Sequence, residues 1–320
     1  LLRAGRLLGL SPKQNFIKLI LPLARPALGI SASLVLMETL ADFATVQYFA
    51  VNTLTTAIYD TWLGYGDLPA ANALASVLML FVFIVVVMEQ RSRHGQRHQS
   101  NRPYLQQEHF TLSRLQQVLA MSFCWCLVIV GFLLPLLLLV IMIIDYGSTE
   151  QLLALVSTGK NSLKVACYVA TLAVVLALLF GLYGRLSSDK LRTLPLKISA
   201  FGYAVPGTVL AMAMLATFGP LDHWLNDIAI ALNIAEPGLI FSGTIFALIA
   251  AYLVRFSAIA NGAIVSGIEQ IPHSLDLAPA SLGVNQATSI LRIHLPLLKP
   301  SILVAWLLVF VEAMKELPAV

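Results

Sequence analysis

Long apolar stretches recur along this chain with little between them. They can be marked at roughly 26–44, 70–88, 117–144, 163–184, 198–217, 239–257 and 300–314. Most approach the ~20 residues that a helix needs to cross a bilayer. Only 11% of the residues are charged and 58% are hydrophobic, with a mean hydropathy of +0.84. Soluble domains carry about 25% charged and about 45–50% apolar residues. These figures exclude an ordinary soluble domain and predict an all-α integral membrane protein with about seven transmembrane helices.

Basic residues orient the spans. Taking the segments between spans alternately from the first, 1–25, 89–116, 185–197 and 255–299 hold 17 of the 20 Lys and Arg, and only Lys160, Lys164 and Lys315 lie elsewhere. Asp60, Asp67, Asp145, Glu150, Asp222, Asp227 and Glu236 fall in the opposite set. Positive residues stay cytoplasmic, so the basic segments are expected on that side. The net charge of +4 is then a topological signal and gives no reason to expect nucleic acid as a partner.

The chain also repeats itself. LLGLSPKQNFIKLILPLARPAL (Leu7–Leu28) and SLGVNQATSILRIHLPLLKPSI (Ser281–Ile302) align without a gap. Gly9 meets Gly283, Leu21-Pro22 meets Leu295-Pro296, and Glu38 meets Glu312. A gapless repeat of this kind implies a duplicated membrane unit. After Val87 a polar, basic run, MEQRSRHGQRHQSNRPYLQQEH, reads as a linker. The expected division is therefore 1–90 as the end of a first unit, 91–116 as linker, and 117–320 as a second unit. Each unit would carry one repeated segment, at 1–25 and about 265–299. The duplication calls for further spans at both ends, so the sequence is expected to be a fragment, and its first residues carry no targeting argument.

Each copy combines a glycine-permitted turn, a helical stretch and a proline that turns the chain toward the membrane. Pro26 and Pro300 are expected at the entry of their helices, where a missing N–H costs nothing. A short amphipathic helix so placed can seat in a partner's groove and transmit its motion. An ordinary cytosolic turn would need no partner, and its gapless recurrence argues against that reading.

The repeat resembles the EAA loop of ABC importer permeases, whose pattern is Glu-Ala-Ala, three residues, Gly, nine residues, Ile, one residue, Leu-Pro. Gly283, Ile293, Leu295 and Pro296 match the second part in full; Gly9, Leu21 and Pro22 match with Leu19 for Ile. The Glu-Ala-Ala part falls on Arg3-Ala4-Gly5 and Leu277-Ala278-Pro279, so only Ala4 and Ala278 are kept, and Asp276 stands one residue early. METLADFATVQYFAVNTLTTAIYDTWLGYGD, YAVPGTVLAM, AYLVRFSAIANGAI and VEAMKELPAV are similar to the fused permeases of ferric iron importers, which carry two such loops. That resemblance implies the type I ABC importer permease fold, a bacterial inner membrane location, and alternating-access import of ferric iron. Fused permeases for thiamine, and related ones for phosphonate, sulfate or polyamines, share the architecture. The resemblance also implies a cytoplasmic ATPase homodimer meeting both loops and a periplasmic or lipoprotein solute-binding protein. The sequence contains no G-x-x-x-x-G-K-[ST] phosphate loop. ATP and magnesium are therefore expected on the partner, with no cofactor and no catalytic residue on this chain.

Charges inside spans are costly and mark function or helix–helix contacts. Glu38 and Asp42 lie at the end of the first span, and Glu312, Lys315 and Glu316 at the equivalent end of the last. On a helix Glu312 and Glu316 share a face, with Lys315 placed to pair with Glu312. Either a cation-attracting translocation path or hydrogen bonding between the halves fits them. Pro206, within a span, fits a kink or a bend lining that path. His94 and His98, four apart in the linker, make a weak metal pair, and the other histidines (His109, His223, His273, His294) do not cluster. Cys124, Cys126 and Cys167 read as buried small hydrophobes. A membrane-embedded enzyme using Glu38/Asp42 and Glu312/Glu316 as acid–base pairs, or an ion-driven secondary transporter, would leave the duplicated loops unexplained.

Overall fold

The computed structural model describes residues 9, 11–93, 112–187, 189, 191–272, 274–281 and 283–316. Among them there are helices and turns but no strand. Five helices are long and apolar enough to cross a membrane, or up to seven if two sharply bent pairs each count as one span. The chain divides into two compact units, one formed by 1–96 with 163–320 and the other by 97–162.

In the smaller unit a run of 33 residues, Arg114–Tyr146, is helical throughout. Ser113 starts it by accepting from Gln116 N at 3.4 Å, while Gln116 Oε1 accepts from Ser113 N at 3.1 Å, a reciprocal capping box. A π-helical turn, Ile129–Leu133, precedes Leu134-Pro135. No side chain of this run is buried. Cys124 and Cys126 are therefore exposed, not buried as expected. An apolar stretch reports the solvent it prefers, and lipid satisfies that preference as well as a protein interior does.

The larger unit contains α1 (Leu21–Ala41), α2 (Leu54–Tyr59), α3 (Leu68–Arg93), the C-terminal part of α4 (Thr149–Leu186), α5 (Leu194–Gly202), α6 (Gly207–Ala231), α7 (Ile245–Gln270), α8 (Ser274–Ser281) and α9 (Leu295–Lys315). Its main core joins α4, α7 and α9. Ala166, Ala170, Ala173 and Ala177 form a small-residue stripe on α4 that packs with Phe256, Ala260 and Ile264 of α7 and Ala305 and Val309 of α9. Small residues let helix backbones approach closely, which is how helices gain packing energy in lipid. At Gly267 of α7 an added Cβ would run into the Ser301 side chain of α9, so glycine suits that crossing. A second cluster gathers Ile58, Ala71, Ala75, Leu78 and Met212 from α2, α3 and α6.

Three expectations need correction. The stretch 198–217 is not one straight span, because α5 and α6 meet at 113° around Tyr203–Pro206. Pro206 lacks an N–H and disfavours helical backbone at the residue before it, so the chain turns there. The stretch 239–257 becomes helical only at Ile245. Before it, Asp222 of α6 accepts from Phe241 N at 2.8 Å, Ser242 N at 2.7 Å and Ser242 Oγ at 2.6 Å, which fixes a turn where a helix was expected. Finally, Pro26 and Pro300 lie inside helices that begin at Leu21 and Leu295. Pro22 and Pro296 take the entry positions, and the first copy bends by 60° at Pro26. Of the expected linker 91–116, residues 94–111, with His94, His98 and His109, lie outside the described residues.

Candidate functional site

The two repeated segments fold alike, element for element. In the first, Pro12–Asn15 is helical, Phe16–Ile20 is a π-helical turn, and α1 follows from Leu21. In the second, Gln286–Ser289, Ile290–His294 and α9 from Leu295 repeat the order, with the same lengths. Gly9 (φ 76°) and Gly283 (φ 71°) both occupy the left-handed region, which glycine enters without the Cβ clash other residues incur. Leu21 N–H and Leu295 N–H each close the π-turn on the carbonyl five residues back, at Phe16 and Ile290. Both segments expose apolar side chains, among them Phe16, Ile17, Leu277 and Leu291. Ile293 and Leu295 are half-buried, and Pro22 and Pro296 are exposed. Ala278 is part of α8, and Ala4 lies outside the described residues.

Asp276 faces inward. Arg185, at the end of α4, donates from Nε to Asp276 Oδ2 at 2.9 Å and from Nη2 to Ile271 O at 2.9 Å and Pro272 O at 3.2 Å, and from Nη1 to Ile268 O. One guanidinium thus satisfies the open carbonyls at the α7 C-terminus and holds the α8 carboxylate. His294, buried inside the second segment, places Nε2 2.7 Å from Asp276 Oδ1 and Nδ1 3.2 Å from Ser289 O. The first copy has Ile20 where the second has His294, so this tie belongs to the second segment.

The membrane acids of the two copies converge. Glu38, Asp42, Lys315 and Glu316 line one cavity of about 380 Å³, together with Arg255 and Phe43. Asp42 and Glu316 stand at equivalent places, each ending its helix in extended backbone. Each gives its carbonyl to a hydroxyl, from Thr55 at 2.8 Å and Tyr252 at 3.2 Å. Glu316 therefore leaves the helical face it was expected to share with Glu312; Lys315 Nζ lies 2.7 Å from Glu312 Oε2. Arg255 is buried in the middle of α7, not in the basic loop 255–299 expected for it. Its Nε lies 3.3 Å from Glu316 Oε2, and its Nη1 donates to Val205 O at 2.9 Å, the carbonyl beside Pro206. Tyr203, in the same break, donates its hydroxyl to Glu38 Oε1. Four carboxylates against two cations leave the cluster negative.

Sequence reasoning missed Arg255, Tyr203, Arg185 and His294. The signal for Arg255 was available as a lone cation in AYLVRFSAIANGAI. Tyr203 adjoins the noted proline break, whereas the partners of Arg185 are 83 to 91 residues away.

Residues 171–320 match the family described as binding-protein-dependent transport system inner membrane component. That segment is similar to the family, whose fold is that of type I permeases, and the described residues agree with such a fold in being helical with five to seven candidate membrane spans. Among curated proteins the chain is 28% identical to an Fe(3+)-transport system permease protein (FbpB 2) of Haemophilus influenzae, covering 98% of this chain and 60% of that protein. It is 27% identical to a ferric transport system permease protein (FbpB) of Actinobacillus pleuropneumoniae, covering 96% and 45%. The chain thus spans about half to three-fifths of the length of these relatives. No solved structure matches it.

Proposed function

We propose that this chain is part of the permease of an ATP-driven importer that carries ferric iron across the bacterial inner membrane. The observation that carries the reading is the pair of repeated segments, equal in sequence register and, among the described residues, in the short helix and π-turn that lead into each long helix. Two like docking elements suit a homodimeric ATPase on the cytoplasmic side, and the exposed Phe16, Ile17, Leu277 and Leu291 give it apolar surface to bind. ATP and magnesium bind to that partner, whose closure draws the two segments together and reorients the helices. A solute-binding protein delivers substrate from the opposite side. Ferric iron as substrate is supported by the similarity to the two ferric iron transport permeases. The cavity lined by Glu38, Asp42 and Glu316 suits weak, transient attraction of a cation along the path.

The test is reconstitution of the full-length protein with its ATPase and binding protein in liposomes, following uptake of radiolabelled ferric iron beside thiamine. ATP-dependent iron uptake that is lost on altering either Leu-Pro segment is the expected result. Thiamine uptake in place of iron discards the substrate and keeps the class. ATP-independent flux of either overturns the importer reading.

A further inference from the structure

Three cavities follow one another along α7. The first, about 770 Å³, is lined by Trp62, Ser242 and Ala251 among others; the second is the acidic cavity of about 380 Å³ at Arg255; the third, about 720 Å³, runs past Ala258, Asn261 and Glu269. The second and third are separated by little. On α7 the lining passes from Arg255 to Ala258, and on α1 from Glu38 to Met37. Three residues of helix rise only about 4.5 Å. The hydrogen bond from Tyr203, which lines the third cavity, to Glu38, which lines the second, joins the two linings.

The supports of this bond come from both copies of the repeat. Glu38 is carried by α1 of the first. On the other side, the chain break behind Tyr203 is held by Arg255 through Val205 O, and Arg255 is in turn paired with Glu316 at the end of α9 of the second. α1, bent at Pro26, leads from the first repeated segment to Glu38, and α9 leads from the second to Glu316 at its end. A buried acceptor without a hydrogen-bond partner among the described residues borders each cavity, Glu316 Oε1 on one side and Asn261 Oδ1 on the other. Such atoms are costly in an apolar interior and fit a polar passage that the break interrupts.

We propose that the Tyr203–Glu38 bond, backed by Arg255, is the gate of the permease. When closed it divides the 380 Å³ and 720 Å³ cavities, and displacement of either repeated segment pulls it open through α1 or α9. The proposal rests on the permease reading but not on the substrate. Opening needs no unfolding, since the barrier is a single side-chain bond at a place where the helix is already broken.

The experiment uses the full-length protein with its ATPase in liposomes, with Cys124, Cys126 and Cys167 replaced by serine and Ser266→Cys as a reporter lining the third cavity. A membrane-impermeant methanethiosulfonate is applied from the side on which the acidic cavity opens. Tyr203→Phe or Glu38→Ala is expected to raise the labelling rate of the Ser266→Cys thiol at least tenfold without ATP, while Thr39→Val, beside Glu38 but outside the bond, leaves it unchanged. As a second measurement that does not depend on an open variant folding, Tyr203→Cys with Glu38→Cys, joined by a short bifunctional reagent, should block ATP-driven labelling until the bridge is reduced. Labelling rates unchanged in both open variants, or ATP-driven labelling that persists through the bridge, overturn the gate. Because labelling requires no transported solute, failure of iron uptake alone leaves this result intact.

Discussion

Replacing Arg185 by leucine removes the group on which the second repeated segment hangs. The guanidinium is 5% exposed and the Asp276 side chain 17%. It makes charge-assisted bonds to the carboxylate at 2.9 and 3.1 Å and further bonds to Ile271 O and Pro272 O at 2.9 and 3.2 Å. Breaking a buried pair from one side leaves the other charge uncompensated and costs about 3–5 kcal/mol. Asp276→Asn keeps the shape and loses the charge, and should cost about 1–3 kcal/mol. The double variant should be less unstable than the sum of the two by about 1.5–3 kcal/mol, since the second change removes a partner already orphaned. The assay is unfolding of the four proteins in mixed micelles under SDS titration, with uptake per ATP hydrolysed measured in liposomes. A coupling energy below about 0.5 kcal/mol, the usual limit of additivity, would refute the view that one guanidinium joins α4, the end of α7 and α8 into a single body.

Other changes test the remaining contacts. Gly283→Ala places a Cβ at φ 71°, which costs about 1–2 kcal/mol, and should lower uptake more than ATP hydrolysis; equal losses of both would count against a coupling role. Gly267→Val drives a side chain into Ser301 of α9, and overpacking of about 1–3 kcal/mol should appear as a lower midpoint in the same SDS titration. Leu291→Glu puts a charge on an exposed apolar position of the second segment. It should weaken co-purification of the ATPase while leaving the unfolding midpoint of the permease alone, and undiminished co-purification would move the docking surface elsewhere.

The repeat was legible because its punctuation is chemical. Gly9 and Gly283 mark left-handed turns, and Leu-Pro marks the helix entry, so the two segments could be aligned by eye. Pro206 announced an irregularity inside a span, although one proline cannot give the size of the bend. Arg255 was hidden by its neighbours: at the edge of an apolar window it resembled the first residue of a basic loop. Only the arrival of Glu316 from the far end of α9 explains why a cation is tolerated in mid-helix. Similarly, the length of an apolar stretch gave the span at 117–144 but not whether its cysteines face protein or lipid, because both environments accept the same side chains.

The π-helical turns before Leu21 and Leu295 have a consequence for how such segments can be altered. Each holds one residue more per turn than an α-helix, and so amounts to a single-residue insertion just ahead of a proline. Because each α-helical residue advances about 100°, that extra residue sets the rotational phase between the segment outside the membrane and the helix within it. Deleting Lys18 or Arg292 would let the turn relax to α-geometry with its apolar residues intact. The same side chains would then point about a quarter-turn away from where they now face, and a partner would meet the right composition at the wrong azimuth.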